Sequence, residues 1–128
     1  MRNKDIYNGA LRILSEQPDI IVNDDYEERA PYLIAAFCDE NKDIDRAYRM
    51  ANSLSEAPEV NAVCVELNEQ FPCAPRFSSA CCMYVASMLI IDENSELSDK
   101  LYDKYSDMMS TISAGIPSFV EKISDRYI

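Results

Sequence analysis

From Ser79 to Ile91 the chain is apolar on nearly every face of a helix: Ala80, Cys81, Cys82, Met83, Tyr84, Val85, Ala86, Met88, Leu89, Ile90 and Ile91. A helix without a polar face has to be covered by other helices or by an assembly. The segment after it is amphipathic. Leu97, Leu101, Tyr105, Met108 and Ile112 recur at three- and four-residue steps, with Asp, Lys and Ser between them. Asp92-Glu93-Asn94 forms a polar turn between the two. Phe77 to Ile112 therefore predicts a helical hairpin with one arm buried and the other on the surface.

A chain of 128 residues suits one domain, spanning 1–128, able to bury about two-thirds of the surface its unfolded form exposes. Gly9 and Gly115 are the only glycines, so neither G-x-x-x-x-G-K-[ST] nor G-x-G-x-x-G can be present. So few glycines also argue against a β-sandwich, whose turns need positive φ at fixed places. The longest uncharged run, Phe77 to Ile91, is too short to span a bilayer, and no membrane association is expected. No basic segment leads into an apolar core at the N-terminus, so the expectation is a chain made without a signal peptide.

Along the chain, a first helix is expected from about Lys4 to Ser15, with Asn3 as N-cap and Ile6, Ala10, Ile13 and Leu14 on its apolar face. Gln17-Pro18 ends it. Asn23-Asp24-Asp25 is a helix start signal; a turn of helix over Tyr26 to Arg29 is expected before Pro31, whose fixed φ suits a first helical turn. Helix then continues over Tyr32 to Asp39 with Leu33, Ala36 and Phe37 facing in. Residues 39–42 break or bend this helix. Ile44, Ala47, Tyr48, Ala51 and Leu54 give the next periodic stretch, ending before Pro58. In residues 59–67, Val63, Val65 and Leu67 alternate with Cys64 and Glu66 at the period of a strand, and a short helix is the open alternative. After the hairpin, Gly115 ends the long helix and Pro117 begins a last one, with Phe119, Val120 and Ile123 on one face. The fold class is all-α: a bundle of about five helices, with a short strand or hairpin inserted around 59–67.

Chemistry is hard to find in this composition. There is no histidine, which excludes Ser-His-Asp and Cys-His catalysis and removes the commonest metal ligand. Cys38, Cys64, Cys73, Cys81 and Cys82 lack the paired spacing of a zinc site, and their odd number suits reduced, buried thiols. The acidic clusters Asp24-Asp25-Glu27-Glu28, Asp39-Glu40-Asp43-Asp45 and Asp92-Glu93-Glu96-Asp99 lie at expected helix ends and turns, where solvated carboxylates are favoured. No Glu-x-x-His pair and no glycine-bearing calcium loop occur among them. No catalytic residue, metal or cofactor is therefore expected. The net charge of −11 repels phosphate backbones, and sequence-specific nucleic-acid binding is not expected. Eight tyrosines, and methionines clustered on the hairpin, suit core packing and adaptable interfaces.

The hairpin resembles the head–tail adaptor (connector) proteins of tailed bacteriophages. Their pattern is a Pro-x-Arg-Phe-like lead-in, a helix of the type A-x-x-x-Y-x-A-S-x-L, an acidic turn, then E-L-x-x-x-L-Y-x-K-Y. Here these stand as Pro75-Arg76-Phe77, Ala80 to Leu89 with Tyr84, Ala86 and Ser87, Asp92-Glu93-Asn94, and Glu96-Leu97 through Leu101-Tyr102 to Lys104-Tyr105. Ile6 to Glu16 (IYNGALRILSE) is also similar to the first helix of such proteins, and Asp24 to Cys38 to their acidic second helix.

The resemblance implies a non-catalytic, prophage- or phage-encoded structural protein. It would form rings, typically of twelve copies, under the portal of the capsid. Its partners would be the portal and the tail or stopper proteins. It would occupy the bacterial host cytoplasm during assembly and the virion afterwards. Of the structural or interface candidates, the resemblance covers the hairpin positions Phe77, Tyr84, Met88, Leu97, Leu101, Tyr102 and Tyr105, and helical periodicity adds Phe119 and Ile123. The segment Ile116 to Ile128 is the candidate for meeting the portal. Two other classes stand beside this one. A soluble bacterial helical interaction module would show one exposed apolar groove; an enzyme using carboxylates alone would bring several Asp or Glu into one pocket.

Overall fold

The computed structural model describes residues 1–16, 22–58 and 63–117. Among them run five helices: α1 (Asn3–Ser15), α2 (Asp25–Glu40), α3 (Lys42–Ala51), α4 (Ser78–Leu89) and α5 (Ser95–Ala114). A single 3₁₀ turn, Pro75–Phe77, leads into α4.

α4 lies at the centre because its sequence leaves it no wet face. It packs against α5, α1 and α2, and Ala80, Cys81, Tyr84, Val85, Ala86, Ser87 and Leu89 are all buried. The chain's own helices thus cover most of its apolar surface. Ile91, just past α4, is left 46% exposed.

Small residues let α5 approach closely. Ser87 Oγ donates to the Ser98 carbonyl at 3.1 Å and Ser98 Oγ donates to the Ser87 carbonyl at 2.9 Å. Both hydroxyls are buried, and each meets the partner helix's backbone, so neither is left without a bond. α1 comes equally near: a Cβ on Gly9 would stand 2.6 Å from Cys82 Sγ. At the other end, Arg29 of α2 donates to the carbonyls of Met88 (2.9 Å) and Leu89 (3.1 Å). Those carbonyls belong to the last turn of α4, which has no basic residue of its own and leaves acceptors open. The guanidinium closes it.

The N-terminus of α1 is closed from a distance. Its first-turn N–H groups, Asn3 and Lys4, donate to the carbonyls of Glu69 and Leu67, each at 2.9 Å. Arg2, and not Asn3, occupies the cap position, where its N–H donates to Asp5 Oδ2 at 2.8 Å. Asn3 is instead turned inward, 1% exposed, with Nδ2 donating to the Glu66 carbonyl at 2.8 Å.

This arrangement also corrects the expectation of a strand in 59–67. Residues 59–62 lie outside the described residues, and 63–67 form no strand. The backbone that alternation marked as extended finds helix ends and the Pro31 carbonyl, which accepts from Val65 N–H at 3.2 Å. A lone antiparallel bridge joins Arg2 to Gln70. Without a neighbouring strand, extended chain does not build a ladder.

α2 differs from its expected form as well. It is one continuous helix, and Pro31 does not stand in its first turn. Pro31 falls in the second turn, where it forfeits one backbone bond, while Asp25, Glu27 and Glu28 favour the positive end of the helix dipole. Its buried face is Tyr26, Ala30, Ile34, Ala35, Phe37 and Cys38. Ala36, expected inside, is exposed, and Leu33 is half-buried. Asn41 separates α2 from α3, so residues 39–42 break the helix. α3 stops at Ala51, and Leu54 lies beyond it, 46% exposed. Gly115 ends α5 with its N–H directed to the carbonyls of Thr111 and Ile112. The last helix expected after Pro117, with Phe119, Val120 and Ile123, lies outside the described residues.

Candidate functional site

Two concavities share one wall. A groove of about 810 Å³ runs between the end of α2, the length of α3 and the loop after it, lined by Cys38, Lys42, Arg46, Met50, Leu54 and Cys73 among others. A second hollow of about 730 Å³ adjoins it across Arg49, Leu54, Pro72 and Cys73, and reaches Asn3 and Cys64.

Between them stands a buried polar clamp. Asp45, 3% exposed, accepts from Arg49 Nε at 3.0 Å and from Ala74 N–H at 2.9 Å. The same guanidinium donates to the carbonyls of Ser55 and Pro72, each at 3.0 Å. One ion pair thus fastens α3 to the loop behind it and to the loop that leads into α4. Asp45 was expected as a solvated turn carboxylate. Its burial is offset by the arginine at i+4 and by the Ala74 N–H that donates to it. The i,i+4 spacing of Asp45 and Arg49 beside Ile44 and Tyr48 was the only sequence signal for it.

Against this clamp lie two thiols. Cys73 Sγ donates to Cys38 Sγ at 3.5 Å, and both residues are buried. The hydrogen bond and burial push the Cys73 thiol far up. Burial likewise pushes Cys81 up, and Cys82 to about 11. Tyr84 is pushed up to about 12, chiefly by burial, and Tyr7, Tyr26 and Tyr105 also move up. All these shifts favour the protonated form. Among the described residues, Asn3 Oδ1 is buried without a hydrogen-bond partner. Among the described residues no three His, Cys, Asp or Glu side chains converge to hold a metal ion.

The residues singled out on the hairpin are mostly core. Phe77, Tyr84, Leu101 and Tyr105 are buried within the chain, while Met88, Leu97 and Tyr102 are half-buried at its edge. Phe77 meets Tyr48 edge-on at 5.5 Å between centroids. Phe37, Tyr84 and Tyr105 form a mutual cluster at 5.2 to 5.9 Å, with Tyr102 against Tyr105 and Asn41 donating to the Tyr105 hydroxyl. Phe119 and Ile123 lie outside the described residues. No protein-family model, curated protein or solved structure matches this chain.

Proposed function

We propose that the chain is a non-catalytic structural protein of a phage or prophage particle, a ring-forming head–tail adaptor that binds the portal. The observation that carries this reading is the hairpin as one continuous unit. The lead-in Pro75–Phe77, the buried α4, the Asp92-Glu93-Asn94 turn and α5 follow one another in the order the resemblance requires. Within that unit Glu93 accepts from the Tyr26 hydroxyl and from Asn23, tying the acidic turn to the start of α2.

A ring of identical copies needs two different patches per copy. Exposed apolar side chains include those at two places: Tyr32 on α2 (55%), and Met50 (55%) with Leu54 (46%) along one groove. The charge of −11 suits a lumen past which DNA slides without being gripped. The test is solution mass by light scattering across a concentration series at low and moderate salt. The adaptor reading expects multiples of 14.6 kDa growing with concentration.

A second reading, a helical interaction module, is favoured by the groove that exposes Met50 and Leu54 together. It expects a constant mass of one or two copies at every concentration.

A further inference from the structure

We infer that Cys38 and Cys73 form a native dithiol that closes to a disulfide when the protein meets a low-molecular-weight disulfide, locking the end of α2 to the loop that leads into α4. The inference does not rest on the adaptor reading. Their sulfurs stand 3.5 Å apart across a sequence separation of 35 residues. Closing to a bond of about 2.05 Å asks for a movement of about 1.5 Å. The backbone on either side of Cys73 is already held in place. The Pro72 carbonyl accepts from Arg49, and the Ala74 N–H donates to Asp45. Cys38 is equally fixed, in the last turn of α2. Both residues line the groove described above, which gives a small reagent its path.

The other thiols are placed differently. Cys82 Sγ donates to the Ile6 carbonyl at 3.5 Å, and Cys64 Sγ donates to the Val65 carbonyl at 3.4 Å. Cys81 is fully buried within α4.

The chemistry balances as two exchanges. One thiol of the pair loses its proton and attacks a sulfur of the reagent R–S–S–R; a mixed disulfide forms and one RSH leaves, carrying that proton. The second thiol, now at contact distance, attacks the protein sulfur of the mixed disulfide. The Cys38–Cys73 bond forms and a second RSH leaves. The protein loses two hydrogens and two electrons, and the reagent gains them.

The experiment incubates the native full chain with oxidised glutathione, quenches in acid, alkylates the remaining thiols in denaturant and maps peptides without reduction. The expected result is a fall from five alkylated cysteines to three, with peptides containing Cys38 and Cys73 joined. Dithiothreitol should restore all five. Five labels after oxidation, a stable glutathione adduct on Cys38 or Cys73, or a bridge between other cysteines would each overturn the inference. A parallel incubation in urea separates native geometry from chance pairing. The native protein should form the bridge faster, and a bridge that forms only in urea would refute it. The oxidised form should also melt higher than the reduced form, and a lower melting point would count against it.

Discussion

Asp45 carries the sharpest energetic consequence. Replacing it with alanine leaves the Arg49 guanidinium, whose side chain is 13% exposed, without its carboxylate, and leaves the buried Ala74 N–H without an acceptor. Removing one member of a buried ion pair costs about 3–5 kcal/mol, because the remaining charge stays desolvated. The orphaned N–H alone would cost about 1–3 kcal/mol, and it overlaps that figure instead of adding fully to it. Asp45→Ala should therefore lower stability by about 4 kcal/mol. For a domain of this size whose total is on the order of 6–15 kcal/mol, that is a large share.

The assay is urea unfolding followed by far-ultraviolet circular dichroism. With a slope of about 2 kcal/mol per molar, the midpoint should fall by about 2 M. Asp45→Asn, which keeps an oxygen for Ala74 and drops the charge, should lose less. Arg49→Met should relieve part of the Asp45→Ala loss, since the stranded charge disappears with it. A loss under about 1 kcal/mol for Asp45→Ala, or strict additivity in the double variant, would refute the clamp.

Three further outcomes follow from the packing. Gly9→Ala should destabilise, because its Cβ meets Cys82 Sγ at 2.6 Å, whereas the same change made in Cys82→Ala should stabilise by up to about 1 kcal/mol through helix propensity; thermal melts of the four proteins read the reversal of sign. Arg29→Met should cost about 1–2 kcal/mol by opening the last turn of α4, discounted because that side chain is 36% exposed; urea midpoints measure it. Tyr84 keeps its proton to about pH 12 when folded but only to about 10 when unfolded, so its contribution is full below pH 10 and is lost as pH rises toward 12. The upward shifts of Tyr7, Tyr26 and Tyr105 have the same sign, so stability measured by denaturant titration should fall with pH across that window.

The parts of this fold that sequence made legible are those governed by local periodicity. Leu101, Tyr105 and Ile112 are buried, as their spacing on α5 requires, and the unrelieved apolar run of α4 is central. Ile6, Ala10 and Leu14 face the core at helical steps. What stayed hidden depends on partners far along the chain. Nothing near Asn3 says that its N–H will meet the Glu69 carbonyl, and nothing near Val65 says that its alternation will serve helix ends instead of a sheet. Pro31 misled for a related reason: proline marks helix starts, but in the second turn it removes a single bond, which the burial of Ile34, Ala35 and Phe37 outweighs. The clamp at Asp45 and the meeting of Cys38 with Cys73 join α2 and α3 to the loop before α4. Such pairings are properties of the tertiary fold.

The most direct test of the proposed role is negative-stain electron microscopy of the purified chain at high concentration and moderate salt, where screening relieves the repulsion between copies each carrying −11. Closed rings of one size with a central opening are the expected result. A field containing only particles of one or two copies, at concentrations where light scattering also reports 14.6 or twice 14.6 kDa, would contradict it.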